Sequence, residues 1–297
     1  MKKIKIGRLA LMSLFCVIVL SACASAPVGK YKVLKDSSQS LLTNTTDTYT
    51  RIEKLQARFV VTAAEDKPID LNTFKPLIGG QSFDITPALR YREQAFEVLV
   101  KYLNVLSVLA SKDYLSDIDK ASIELSSSLQ TLIEKTNAVD AANAAKVAGI
   151  FGTLVDTLSR PIVEAKRIDA LKTIMDSSQE DLQTLTKLLT GSNTKIKGFI
   201  EEARKSIINH ANAARPQYNS PLRYDYDKNI ADQLQEIEEI SASLDAINKG
   251  IEKIPAAHKE IRVSLDQKQN SIEALKGLVQ EVQRANKFYR SLSQTKS

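Results

Sequence analysis

Cysteine is missing from almost the whole of this 297-residue chain, because the only two cysteines are Cys16 and Cys23. Residues 24–297 therefore offer no thiol for a disulfide, a metal or a nucleophile. Histidine is as scarce, with only His210 and His258. The HExxH zinc motif, the GxSxG elbow and the phosphate-binding loops GxxxxGK and GxGxxG do not occur. The sequence predicts a protein without enzymatic activity, metal site or non-covalent cofactor.

The remaining candidates for site chemistry have plainer explanations. His210 continues the apolar spacing of Ile200, Ala203 and Ile207, which favours a packed or boundary histidine over a metal ligand. Paired acids such as Glu238-Glu239 lie among lysines at helical positions, which is typical of a solvated face rather than of general acid–base catalysis.

Turn-forming and aromatic residues are also sparse. The chain has 10 Gly, 8 Pro and no Trp, whereas a β-sandwich of this length would need many Gly and Pro turns. This composition predicts an all-α fold.

The first 22 residues have the pattern of an export signal. Basic side chains at Lys2, Lys3, Lys5 and Arg8 precede an apolar run from Leu9 to Leu20. That run is shorter than the ~20 residues that span a bilayer as a helix, which disfavours a permanent transmembrane segment.

The run ends in Leu20-Ser21-Ala22-Cys23, which resembles the lipobox of bacterial lipoproteins. The resemblance covers only residues 1–23. It implies cleavage before Cys23, a diacylglyceryl thioether on the Cys23 sulfur and often a fatty acyl group on the new amine. Cys16 fits the pattern poorly because bulky Phe15 precedes it. The alternative is an ordinary secretory signal with a chance cysteine.

The resemblance also implies a location. Ala24 and Ser25 follow the cysteine where an aspartate would favour inner-membrane retention, so we expect the outer membrane facing the periplasm if the source is Gram-negative. A Gram-positive source would place the protein on the outer face of the cell membrane. Cleavage leaves 37 Lys and Arg against 35 Asp and Glu, and the formal charge falls from +6 to +2. This loss removes the main argument for nucleic-acid binding.

The mature part predicts a short tether over residues 23–32 followed by a helical bundle domain over residues 33–297. A thin apolar stripe predicts a first helix from about Val33 to Ala64. Thr86-Pro87 predicts a second helix start, with the threonine as cap, and Ser116 or Asp117 predicts the cap of a third helix.

Later segments continue the helical pattern. A long helix is expected over Asp140–Leu189, kinked near Pro161, and Gly191-Ser192-Asn193 predicts a tight turn before a helix from Thr194 to Ala214. Further on, Gly250 and Pro255 predict a hairpin or a kink. A final helix is expected, with an apolar stripe that consists of Ile261, Leu265, Ile272, Leu275, Val279, Val282, Tyr289 and Leu292.

Between Pro221 and Pro255 the apolar positions alternate threes and fours, which is a coiled-coil spacing with one three-residue stammer. The stripe consists of Ile230, Leu234, Ile237, Ile240, Leu244, Ile247, Ile251 and Ile254. Such seams must be covered by other helices. We therefore predict an elongated, antiparallel helical bundle with coiled-coil-like long helices.

Two segments are open to two interpretations. Asp66–Thr86, with Gly79-Gly80 and several large apolar residues, either caps one end of the bundle or forms an exposed apolar loop. The small-residue segment Ala141–Leu158 either packs closely against other helices or, in a membrane-active protein, inserts into the bilayer.

The most unusual local composition lies between Arg215 and Lys228, where three of the nine tyrosines fall within nine residues. Tyrosine and arginine are the side chains that binding surfaces commonly use. The candidate partner-binding residues are Arg215, Tyr218, Arg223, Tyr224, Tyr226 and Lys228. The alternative is an interhelical elbow whose tyrosines pack on neighbouring helices.

The sequence thus favours a non-enzymatic, lipid-anchored envelope protein that acts as a scaffold or binding module. Its expected partners are the membrane and either another envelope protein or an anionic envelope polymer. A membrane-active, pore-forming-like helical protein is the alternative.

Overall fold

The computed structural model describes residues 28–63, 77–78, 81–82, 85–111, 113–136, 149, 167–191, 193–266 and 272–294. The helices in these ranges are α1 Val28–Ala63, α2 Thr86–Ala110, α3 Tyr114–Thr136, α4 Arg167–Gly191, α5 Asn193–Ala214, α6 Ser220–Ser264 and α7 Glu273–Gln294. A 3₁₀ turn, Arg215–Gln217, joins α5 to α6. Two short antiparallel strands, β1 Leu77–Ile78 and β2 Gln81–Ser82, pair Leu77 with Ser82 and Ile78 with Gln81. The all-α bundle is confirmed.

Helix α6 is the axis of the bundle, and its 45 residues span about 68 Å. Helix α1 runs antiparallel to it, as Thr48 with Ser243 and Arg58 with Glu236 show. Gln179 on α4 contacts Pro255 on α6, and Lys197 on α5 contacts Asp245 on α6. Both helices therefore run in the same direction past α6. The turn expected between them does not reverse the chain.

The core has two parts that follow each other along this axis. The larger part joins the first half of α1, most of α2, and α3, α4, α7 and the second half of α6. The smaller part joins the second half of α1, the start of α2, α5 and the middle of α6. Because α1, α2 and α6 contribute to both parts, the bundle is elongated rather than spherical.

Several predicted boundaries are wrong. Helix α1 begins at Val28, five residues earlier than expected, so its first residues lie within the predicted tether. Helix α3 begins at Tyr114, so Ser116 and Asp117 lie in its first turn and are not the cap. Helix α2 begins at Thr86 as predicted, but Ile85 is the cap residue and the cap has no side-chain hydrogen bond.

Of the two alternatives for Gly250 and Pro255, the hairpin is wrong, because both residues lie inside continuous α6. Ile261 consequently belongs to α6, and α7 begins only at Glu273. Pro255 is buried at a seam position, and its carbonyl accepts a hydrogen bond from Gln179 Nε2 at 3.2 Å. A proline inside a helix favours a break, but the helices packed around α6 keep it continuous at Pro255.

Gly250 allows α1 and α6 to approach closely. A Cβ at this position would lie 2.8 Å from both methyl carbons of Leu41, which is fully buried. Leu41 packs within the larger core, so it can move away from an added methyl group only if its neighbours move as well.

Some predictions fall outside the described residues. They are the Pro161 kink, nearly all of the Ala141–Leu158 segment, and most of Asp66–Thr86, of which only residues 77–78, 81–82 and 85–86 are described. Within the described ranges, no helix is both long enough and apolar enough to cross a membrane.

We expect Gly250→Ala to lower the free energy of unfolding by about 1–3 kcal/mol, because the added methyl group overpacks the contact with Leu41. The matched control is Gly198→Ala, since a Cβ at Gly198 on α5 meets nothing within 4 Å. This exchange should raise stability by about 0.5–1 kcal/mol through helix propensity. Urea unfolding measures both. Equal stabilisation by the two substitutions would contradict the close approach.

Candidate functional site

The candidate residues lie at the end of the bundle where α5 turns into α6. Helix α1 ends at Ala63, five residues beyond Arg58, whereas α6 starts sixteen residues before Glu236, the partner of Arg58. The start of α6 therefore extends about 16 Å beyond the end of α1. We call residues 207–234, which form the end of α5, the turn and this extension of α6, the hairpin tip.

Two contacts brace the hairpin tip across the turn. The Arg215 guanidinium donates to the Asp227 carboxylate through Nε and Nη2 at 2.9 to 3.1 Å, which is a bidentate pairing. The rings of Tyr218 and Tyr226 stack with centroids 4.5 Å apart. Arg223 adds a third contact by donating to the Tyr218 carbonyl at 2.9 Å. These contacts connect residues on both sides of the turn and favour this conformation.

The electrostatics of the hairpin tip follow from these contacts. The hydrogen bonds from Arg215 lower the pKa of the Asp227 carboxyl group, so this residue stays ionised to unusually acidic pH. Burial, with help from Tyr218 and Asp227, raises the pKa of the Tyr226 hydroxyl group. The positive charge of Arg215 is thus already neutralised by a carboxylate, which makes it a poor ligand for an external anion.

Other members of the candidate set are exposed. The Tyr224 side chain is 71% exposed and nearby Leu222 is 56% exposed. Lys228 is also exposed, and no ion pair to it is formed within the described part of the chain. The candidate set therefore divides into a bracing group, Arg215, Tyr218, Arg223 and Tyr226, and a presenting group, Tyr224 and Lys228. Leu222 joins the presenting group, although the sequence did not single it out.

A groove of about 570 Å³ runs along the base of the hairpin tip. Ile207 and Ile230 supply its apolar surface, and Tyr226 lines it too. His210 is exposed and lines this groove, so of the two positions expected for it, packed or at the boundary, the packed one is wrong. Arg58 closes the α1 side and donates to Glu236 at 2.5 Å.

A second polar cluster lies deep in the larger core and is centred on His258, which is 0% exposed. Gln179 Nε2 donates to the Pro255 carbonyl, which turns Gln179 Oε1 toward His258 Nδ1 at 2.7 Å. Because that oxygen only accepts, Nδ1 carries the proton and Nε2 accepts from Tyr102 Oη at 2.7 Å. Burial lowers the pKa of His258 to about 3.

This cluster holds helices together and is closed to a substrate. Tyr102 Oη also lies 2.5 Å from Ser178 Oγ, so the network links α2, α4 and α6. The spacing from Ile251 through Ile254 and His258 to Ile261 runs 3, 4, 3, which places His258 on the α6 seam. That spacing was the signal in the sequence for a core histidine.

Among the described residues, no group of three or more His, Asp or Glu side chains is arranged to hold a metal ion. Cys23 lies outside the described residues. The chain matches no protein-family model, no curated protein and no solved structure.

We expect His258 to make the protein less stable in acid. The folded state keeps the imidazole neutral, whereas the unfolded chain takes up a proton below its ordinary pKa of about 6.5. The contribution of His258 to the free energy of unfolding is therefore fully present above about pH 6.5. It decreases as the pH falls towards 3, by at most about 1.4 kcal/mol per pH unit.

Urea unfolding of the wild type and of His258→Gln between pH 7 and pH 4 measures this contribution. Glutamine keeps an acceptor for Tyr102 but does not titrate. The wild type should lose stability more steeply than the variant over this range. Parallel curves would show that His258 takes up a proton as readily in the folded protein as in the unfolded chain.

Proposed function

We propose that this protein is a lipid-anchored binding module of the bacterial cell envelope, which contacts another envelope protein through its hairpin tip. The observation that carries the proposal is a braced turn that presents exposed Leu222 and Tyr224 at the end of a long bundle. Exposed apolar and aromatic side chains on a rigid support are typical of protein interfaces, because little conformational entropy is lost on binding.

The start of α1, at the opposite end of the bundle, is the described part of the chain that is closest in sequence to the proposed anchor. Cys23 precedes the first residue of α1 by five residues, and Arg58, at the base of the hairpin tip, follows Val28 by thirty. Along a straight helix that separation is about 45 Å. A diacylglyceryl group on Cys23 would hold the protein on the membrane, and the bundle would carry the contact surface away from it.

The charge distribution favours a protein over an anionic polymer as the partner. Arg215 is paired with Asp227, and Arg58 is paired with Glu236. The exposed charges Asp225, Lys228 and Asp232 bring no positive excess to this surface. Binding to an anionic glycan or polymer would require several unpaired cations, since each contact replaces a counterion or a water shell.

Site-specific photocrosslinking in cells tests the contact surface. We expect a photoreactive amino acid at Tyr224 to give one discrete protein adduct. The same amino acid at Ile123, which is 68% exposed on α3, is the matched control and should not give that adduct. Adding Leu222→Asp should reduce the Tyr224 adduct at least several-fold, because it places a charge in the apolar contact.

Membrane fractionation with intact-mass analysis of the wild type and of Cys23→Ala tests the anchor separately. The wild type should carry lipid mass and float with membranes, whereas the variant should be released. Identical adducts from positions 224 and 123 would overturn the contact surface, and an unmodified, soluble wild type would overturn the anchor.

A further inference from the structure

An exposed apolar side chain lies at the end of the bundle opposite to the hairpin tip. Leu115 is 69% exposed and is the second residue of α3, next to the turn that follows α2. Its neighbour Tyr114 is buried. The fold therefore directs one of these two adjacent large side chains into the core and the other into solvent.

Contacts between helices show that this turn is at the same end as the start of α1. Tyr31 on α1 donates to the Met175 sulfur on α4 at 3.1 Å. Both helices run antiparallel to α6, so their first residues point to the same end. Arg167, the first residue of α4, donates to the Ser111 carbonyl at the end of α2 and lies over the Tyr114 ring, 5.4 Å from its centroid.

Contacts between α1 and α2 show how far this turn reaches. Thr46 on α1 donates to Glu93 on α2 at 2.6 Å, and Arg90 donates to Glu53, so the two helices run antiparallel. Ser111 follows Glu93 by eighteen residues and Val28 precedes Thr46 by eighteen, which places the end of α2 level with the first residue of α1. Leu115 is an exposed apolar side chain at this end of the bundle.

The length of chain between Cys23 and Val28 limits how far this end can be from an anchoring lipid. Five residues span at most about 17 Å when fully extended. A surface to which Cys23 is attached is therefore within reach of the turn between α2 and α3, which is level with Val28.

We propose that Leu115 inserts into the lipid surface as a second membrane contact and fixes the orientation of the bundle on the membrane. This inference rests on the proposed lipidation of Cys23. One apolar side chain is too little to bind a membrane alone, but the anchor already keeps it at the surface, so its insertion is effectively intramolecular. Exposed Asp113 and Asp117 lie beside it and favour a surface of zwitterionic headgroups over an anionic one.

The chain offers a clean test, because residues 24–297 contain no cysteine and a thioether on Cys23 cannot react with a maleimide. Leu115→Cys, in the full lipidated chain purified from membranes, carries an environment-sensitive fluorophore. Ile123→Cys is the matched control, since Ile123 is equally exposed but lies about 12 Å farther along α3. Both labelled proteins are reconstituted on phosphatidylcholine vesicles with a quencher attached to the acyl chain.

The fluorophore at position 115 should show blue-shifted emission and at least three-fold stronger quenching than the one at position 123. Flotation and intact mass are measured on the same samples. A lipidated, floating protein with equal quenching at both positions overturns the insertion of Leu115 and leaves the anchor intact. A protein without lipid mass that does not float overturns the anchor and the inference together.

Discussion

Continuous packing along one face of α6 is the constraint on which the rest of the structure depends. Its seam from Ile237 to Ile261 meets α1 on one side and α4 and α5 on another. Burying each such isoleucine or leucine contributes about 1.5–3 kcal/mol, and the contributions repeat along the helix. The close contact of Gly250 with Leu41 sets the spacing of α1 and α6, and the His258 network fixes how α2 and α4 meet them.

An uninterrupted axis of this length separates the two ends of the molecule. One end carries the start of α1, close in sequence to Cys23, and the other carries the hairpin tip. The hairpin tip is stiffened by the pairing of Arg215 with Asp227 and by the stacked tyrosines, so that Tyr224 and Leu222 project from a fixed support. Under the proposed lipidation of Cys23, a bundle with this braced surface at its other end suits contact with a partner at a distance from the membrane.

Helices and their buried faces could be predicted from the sequence, because apolar residues spaced by threes and fours must be covered. Interruptions were harder to predict. Pro255 favours a break when α6 is considered alone, and only the surrounding helices keep it continuous. The start of α1 was missed because Pro27 and Gly29 suggested a tether, although Tyr31 and Leu34 are fully packed in the core.

The composition of the sequence indicated the region Arg215–Lys228, but not which of its residues brace the turn and which are exposed. Arg215 and Asp227 are separated by a turn and are not at a helical spacing, so their pairing could not be predicted from the sequence. That pairing changes the roles of the candidate residues, since it turns an apparent anion ligand into a brace. Leu222 was overlooked because a single leucine carries no signal, and its exposure depends on how far α6 extends beyond α1.

A distance measurement between the two ends tests the central claim most directly, namely that continuous α6 and α1 hold the hairpin tip far from the start of α1, where the proposed anchor is attached. Spin labels at Lys32, exposed near the start of α1, and at Tyr224 would be measured by double electron–electron resonance. A continuous axis predicts one narrow distance distribution near about 55 Å. A broad distribution or a main distance below about 40 Å would show that α6 bends or breaks, and would contradict the account.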